Sequence, residues 1–204
     1  MRVFDLYPGS YASNCYLVED GGEAVLIDPS IAVADALRRL GSLPRITAVV
    51  LTHGHFDHTL ALAEWRSHTG APLLVGSADA PMLTDPSLSC YRQFLGRDDA
   101  FAPPERLLLE GDTVTVGEKS LTVLSVPGHT QGSIALYTDG LLFTGDTLFA
   151  DGGYGRTDLP GGSGRDLVSS LRRLLSLPGD CRVLPGHGEA TDIASCAAMF
   201  SNLM

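Results

Sequence analysis

Three of the chain's six histidines fall in the run Thr52-His53-Gly54-His55-Phe56-Asp57-His58, directly after the apolar stretch 46–51. Imidazole nitrogens and carboxylate oxygens are the natural ligands of borderline divalent ions such as zinc. The spacing gives the cluster a shape. In an extended segment His53 and His55 point to the same side. Asp57 and His58 follow where the chain can turn into a helix, which lets them reach a second ion beside the first. A polar loop without metal is the competing reading, and so dense a set of ligands disfavours it.

Three further positions carry compatible chemistry. His129 lies in Val126-Pro127-Gly128-His129-Thr130, Asp146 in Thr144-Gly145-Asp146-Thr147, and His187 in Leu184-Pro185-Gly186-His187-Gly188. Each follows a short β-like run and is flanked by glycine, and loops at strand ends are where scaffolds hold functional groups. Read alone, each is an ordinary turn. Together with the first cluster, four loops each offer a metal ligand. The sixth histidine, His68, sits before Thr69-Gly70 at an expected helix end, where a cation suits the helix dipole. It is read as a surface residue with no part in the chemistry.

The elements that must carry these loops can be read from periodicity. Residues 2–7, 14–19 and 23–27 have strand character, and Asp28-Pro29-Ser30 offers a stop and an N-cap. Val33, Leu37 and Leu40 are spaced as one helical face ending at Gly41. The next strand delivers the histidine cluster, followed by a helix over about 60–68 and a short strand at 73–75. Residues 77–105, with Pro81, Pro86, Pro103 and Pro104, predict short helices and loops, either a flap over the site or a surface insertion. Strands follow at 113–116, 121–126, 134–138 and 141–144. Leu167, Leu171, Leu174 and Leu175 mark an amphipathic helix that stops at Pro178-Gly179. A last strand at 182–184 and one closing helix within 191–204 complete the chain. This order predicts an α+β fold, two β-sheets face to face with helices outside, an αββα four-layer sandwich. At 204 residues, one domain over 1–204 is expected.

The formal charge is −10, from 24 acidic and 14 basic residues, with no basic block. Phosphate neutralisation needs clustered Lys and Arg, so nucleic acid is not the expected partner. No apolar run reaches a membrane span, no signal-peptide core is visible, and a cytoplasmic location is expected. The cysteines Cys15, Cys90, Cys181 and Cys196 form no Cys-x-x-Cys pair. Cys15 and Cys181 lie in strand-like runs and read as buried thiols, whereas Cys90 is the candidate for exposure.

The order His-x-His-x-Asp-His, Gly-His-Thr, Gly-Asp-Thr, Pro-Gly-His-Gly resembles the metallo-β-lactamase-fold superfamily. More narrowly, it is similar to the small glyoxalase II-like (hydroxyacylglutathione hydrolase-like) enzymes. Asn14-Cys15-Tyr16-Leu17-Val18 and Leu26-Ile27-Asp28-Pro29 resemble that family's opening strands, and Gly155-Arg156-Thr157-Asp158 resembles its loop after the aspartate. The resemblance implies two divalent metal ions, zinc first and iron or manganese as alternatives. It places His53, His55 and His129 on one, Asp57, His58 and His187 on the other, and Asp146 between them. A metal-bridging hydroxide would be the nucleophile, with Asp57 orienting it. The implied substrate is a small acyl-thiol thioester of the glutathione type, and a thiolate leaves without a strong acid because a thiol pKa is about 8.5.

Full-length glyoxalases add a C-terminal helical domain with basic residues for glutathione. Here the chain has only 192–204 after the last loop, and its single lysine, Lys119, lies in a hairpin. Tyr154 and Arg156 are the candidate substrate contacts, with an Arg156–Asp158 brace as the competing reading of Arg156. Two alternatives remain. One is a single-iron persulfide dioxygenase of the same fold using His53, His129 and Asp146. The other is a non-catalytic metal-binding module.

Overall fold

The computed structural model describes residues 1–6, 9–150 and 152–200. The first sheet runs in chain order through β1 (Arg2–Asp5), β2 (Tyr16–Asp20), β3 (Glu23–Ile27), β4 (Arg45–Leu51), β5 (Leu73–Gly76) and β6 (Arg106–Leu108). The second comprises β7 (Thr113–Val116), β8 (Lys119–Ser125), β9 (Ile134–Thr138), β10 (Leu141–Gly145), β11 (Arg182–Pro185) and β12 (Thr191–Asp192), again in chain order across the sheet. Both are mixed: β3–β4, β4–β5, β5–β6 and β10–β11 pair parallel, the rest antiparallel.

Period-2 alternation decides the layers. In β3, Val25 and Ile27 join Val50, Leu121, Val123, Leu136 and Phe143 in the core between the sheets. Their neighbours Ala24 and Leu26 face outward, under α1 (Val33–Leu40) and α2 (Leu62–Thr69), where Trp65 is fully buried. A short helix α3 (Tyr91–Leu95) follows. On the far side, α4 (Gly164–Leu175) and α5 (Ile193–Met199) cover Ala135, Leu142 and Val183. Three apolar layers separate four structural ones, which is the αββα sandwich expected.

Several local expectations change. The N-cap expected from Asp28-Pro29-Ser30 is not used, because the Ser30 hydroxyl donates to the Ser13 carbonyl (2.6 Å). Glu64 of α2 instead accepts from the Val33 N–H (3.0 Å), so a neighbouring helix caps α1. Leu37 is exposed, and the buried face of α1 is Val33 and Ala36 with Leu40 half-buried. Cys90 is fully buried rather than exposed, and it immediately precedes α3 in the left-handed region (φ 65°). The strand β6 was not expected. The closing helix is preceded by β12 and is described as far as Phe200, so residue 7 of the first expected strand and the end of the tail, 201–204, lie outside the described residues. Among the described residues no helix is long and apolar enough to cross a membrane.

Candidate metal centre

The four ligand-bearing loops leave one end of the two sheets. His53, His55, Asp57 and His58 follow the end of β4; the turn Phe56–His58 is a single 3-10 turn. His129 lies between β8 and β9, Asp146 follows β10, and His187 follows β11, whose parallel pairing with β10 brings their ends together. Backbone bonds then sew the two sheets to each other here. Ile134 N–H donates to the Thr52 carbonyl (2.8 Å) and Asn14 N–H to the Gly186 carbonyl (2.6 Å), while Ser13 N–H to the Asp57 carbonyl (3.2 Å) ties two loops of the first sheet. The Asn14 side chain donates to the Pro185 and Gly188 carbonyls (both 2.9 Å), fixing the turn that presents His187. Gly186 is required by proximity, because a Cβ there would stand 2.2 Å from Asp146 Oδ1.

Three sets of side chains bring ligand atoms within 4.8 Å of one another: His53, His55 and His129; His53, His58 and Asp146; Asp57, His58 and His187. Every metal-ligand residue predicted from the sequence is in at least one set. His68 is in none and is exposed on the last turn of α2.

Hydrogen-bond partners assign the tautomers. His129 Nδ1 lies 2.7 Å from the Arg156 carbonyl, which can only accept, so Nδ1 carries the proton and Nε2 is a bare lone pair. The Thr52 hydroxyl gives its proton to Asp28 Oδ2 (2.8 Å), so it accepts from His53 Nδ1 (3.2 Å) and leaves His53 Nε2 bare. His58 Nδ1 donates to the same Asp28 oxygen (2.9 Å), leaving Nε2 to face the cluster. The bare nitrogens of His53 and His129 stand 3.2 Å apart, with His55 Nδ1 2.8 Å from the latter. Two lone pairs so close repel unless a cation lies between them. Buried His55 Nε2, His58 Nε2 and Asp146 Oδ1 have no hydrogen-bond partner at all. His58 Nε2 and Asp146 Oδ1 are 3.2 Å apart yet misaligned for each other. Buried polar groups are rarely left so, and this donor set fits divalent metal.

Burial drives the His53 ring well below its ordinary pKa and takes His55 to about 3, with neighbouring imidazoles adding to the effect. His58 goes the other way. Burial opposes its charge, but Asp28 and Asp146 outweigh burial and hold it well above the usual value. His187 is raised by Asp57 and Asp146 against the same penalty. Burial likewise works against the Asp57 and Asp146 anions, yet His187 and His58 keep both carboxyls below the usual range. The carboxylates stay ionised and His53 and His55 stay neutral, as metal ligands must be, whereas His58 and His187 favour a proton that a bound ion would displace.

Two positioning residues were missed in the sequence reading. Asp28, at φ 52°, points inward and also accepts from the Thr52 N–H (2.8 Å), so one carboxylate orients both His53 and His58. Its signal was a charge at the end of the apolar run Leu26-Ile27. Asp79 is buried and accepts from the Gly54 N–H (3.0 Å), the Gly132 N–H (2.7 Å) and the Thr130 hydroxyl (2.7 Å). It ties the His53–His58 loop to the His129 loop, and nothing in Ser77-Ala78-Asp79-Ala80 announces this.

The cluster lies at the floor of a cavity of about 520 Å³, which His55, Asp57, His129, Asp146 and His187 line, with His53 and His58 buried behind them. Tyr154 and Arg156, the predicted substrate contacts, both line it, but Arg156 is held by Asp158 through two 2.6 Å bonds. Residues 77–105 contribute Phe94 and Leu95 to the opposite wall, so this segment borders the site instead of decorating a remote surface.

Comparison with known proteins agrees with this geometry. The chain is similar to the hydroxyacylglutathione hydrolase GloC of Haemophilus influenzae, at 35% identity over 90% of this chain and 89% of that protein. Among solved structures it is similar to BLEG-1, described as a B3 metallo-beta-lactamase (TM-score 0.88, 32% identity, 97% of each chain). It is also similar to TTHA1623 in a di-iron-bound form (TM-score 0.78, 34% identity, 97% of each chain). The family model of the metallo-beta-lactamase superfamily matches residues 8–187. Its span takes in all four ligand loops, and the chain belongs to the metallo-beta-lactamase superfamily as a metal-dependent hydrolase.

Proposed function

We propose that the protein hydrolyses thioesters with two divalent ions, zinc in the first instance. The observation that carries this reading is the convergence of His53, His55, Asp57, His58, His129, Asp146 and His187 at one end of the cavity, with buried His58 Nε2 and Asp146 Oδ1 left without a hydrogen-bond partner. His53 Nε2, His55 Nδ1 and His129 Nε2 would hold one ion, and Asp57, His58 Nε2 and His187 Nε2 the other. Asp146 would lie between them. Its Oδ1 faces His58, while Oδ2 faces His187 (3.5 Å) and His129 (3.6 Å). Such ions, when bound, make water acidic enough to attack at neutral pH and polarise the carbonyl under attack.

The chain's own residues supply the rest. Asp57 sits at the cavity floor with Oδ2 3.1 Å from His187 Nε2, placed to orient the attacking water. The water oxygen bonds to the acyl carbon, the carbon–sulfur bond breaks, and the thiolate takes up a proton to leave as free thiol. No strong general acid is needed, because a thiol pKa is about 8.5. An amide nitrogen would need one, and outside the floor the described wall offers only phenols and a paired guanidinium. The name carried by the Haemophilus influenzae relative supports the same choice. Four free, buried thiols fit the cytoplasm as its compartment, and the partner is a small acyl-thiol molecule.

The test is elemental analysis of untreated protein, then turnover of a thioester and a β-lactam before and after chelation. Two equivalents of metal and thioester cleavage lost on chelation are expected. A single iron per chain with oxygen consumption on persulfides would replace this reading with the dioxygenase. Faster β-lactam cleavage would reassign the leaving group.

A further inference from the structure

The wall above the floor narrows the substrate, on the reading that the site cleaves thioesters. Phe56 lies between two cluster ligands in sequence, and its ring stacks on Phe94 (centroids 5.3 Å, 18° between planes). Tyr11 packs on its far side (6.3 Å), and Tyr91 stands edge-on beneath (6.0 Å), fully buried and bonded to the Thr59 hydroxyl (3.1 Å). Across the cavity, Phe149 meets the His187 ring at 90° and Tyr154 approaches Phe200. Tyr11, Phe94 and Tyr154 are 64%, 45% and 53% exposed, large rings left in solvent on the rim of the site. Contiguous exposed apolar surface at a cavity marks a ligand contact.

Charge points the same way. Among the described residues lining the cavity, Arg156 is the only Lys or Arg, and Asp158 satisfies its fork with a bidentate pair. The chain as a whole carries −10. The carboxylates of a glutathione thioester are many bonds from the reacting carbonyl and would fall beyond the metal-binding floor, where the described lining offers no unpaired Lys or Arg. Desolvating a carboxylate against aromatic rings without a partner is unfavourable. We infer that this site selects thioesters with an apolar acyl chain or ring on a carrier without carboxylates, and disfavours glutathione thioesters. The cavity's size is within the range of about 300–1,000 Å³ that holds a small molecule.

The experiment is a two-by-two set: acetyl and octanoyl thioesters, each on N-acetylcysteamine and on glutathione. Turnover is read as kcat/KM. Binding is read by calorimetry on the matching ketones, in which a methylene replaces sulfur and nothing can be cleaved. A buried methylene is worth about fourfold in affinity. A gain of at least about tenfold from acetyl to octanoyl is therefore expected on the neutral carrier, in both readouts, even if only part of the chain is buried. At equal acyl length the glutathione carrier should be the poorer. Phe94→Ala, at a half-exposed position, should keep metal content and melting temperature and flatten the dependence on chain length. No gain with chain length, or preference for glutathione, overturns the inference while leaving thioesterase activity standing. A chain-length gain in ketone binding with no thioester cleaved supports the apolar pocket and sinks the thioesterase.

Discussion

In the cavity floor, His53, His58 and His129 are each fixed by a partner on Nδ1: the Thr52 hydroxyl, the Asp28 carboxylate and the Arg156 carbonyl. In the wall, the Phe94 ring stacks on Phe56 and is nearly half exposed. The floor uses directional bonds because ligand atoms must meet at shared points, and small errors of angle would be costly there. The apolar contact the rings offer a ligand is non-directional and scales with buried area. On the proposed reading, chemistry and selectivity are housed in parts of the molecule with different tolerance to change.

The sharpest break of that comparison is Asp146→Ala. It removes the carboxylate shared between the two ligand sets, and activity should fall by at least about 10³-fold with loss of metal, on the scale of catalytic-group removals. Retained activity with full metal content, measured by elemental analysis, would remove Asp146 from between the ions. Asp28→Asn keeps the shape but weakens the acceptor shared by Thr52 and His58, so metal affinity should drop about 10- to 100-fold, read by chelator competition. An unchanged affinity would make Asp28 a fold residue only. Next comes pH. Below its raised pKa, His58 holds the proton that an ion must displace, so metal affinity should climb with pH, about tenfold per unit, and level off above that pKa. A flat profile would show that His58 does not ligate. Phe94→Ala should alter selectivity by about tenfold with metal affinity unmoved, since only apolar contact is lost. A fall in metal content there would join wall to floor. The smallest effect is His68→Ala, expected to leave metal and turnover as they are; any loss of metal would contradict its exposed place on α2.

The same contrast governs what could be read from the sequence. The floor was legible because its candidate ligands lie in one compact run and three glycine-flanked loops, and because short apolar runs placed β4, β10 and β11 ahead of them. The residues that steer those ligands were not. Asp79 acts across 25 residues to Gly54 and 53 to Gly132, pairings that no local pattern encodes. Leu37 fits the helical spacing of a buried face, but the smaller Ala36 holds the packed position against the sheet. Cys90 looked exposed because its surroundings are irregular, whereas its burial depends on how α3 folds back over Phe56. The aromatic wall is assembled from Tyr11, Phe56, Phe94 and Tyr154, which are far apart along the chain and become neighbours only after the sheets have met.

One loop belongs to both parts of the cavity. Residues 154–156 put Tyr154 and Arg156 on the wall, and the same backbone bonds downward, with the Gly155 N–H on the Asp146 carbonyl (2.8 Å) and the Arg156 carbonyl on the His129 ring. A ligand that shifts this loop also turns His129 and nudges Asp146. Metal and ligand affinities are then thermodynamically reciprocal, each changing the other by the same factor. Zinc titrated in the presence of a wall-filling compound would measure that factor directly, and a substitution of the exposed Tyr154 side chain would retune it.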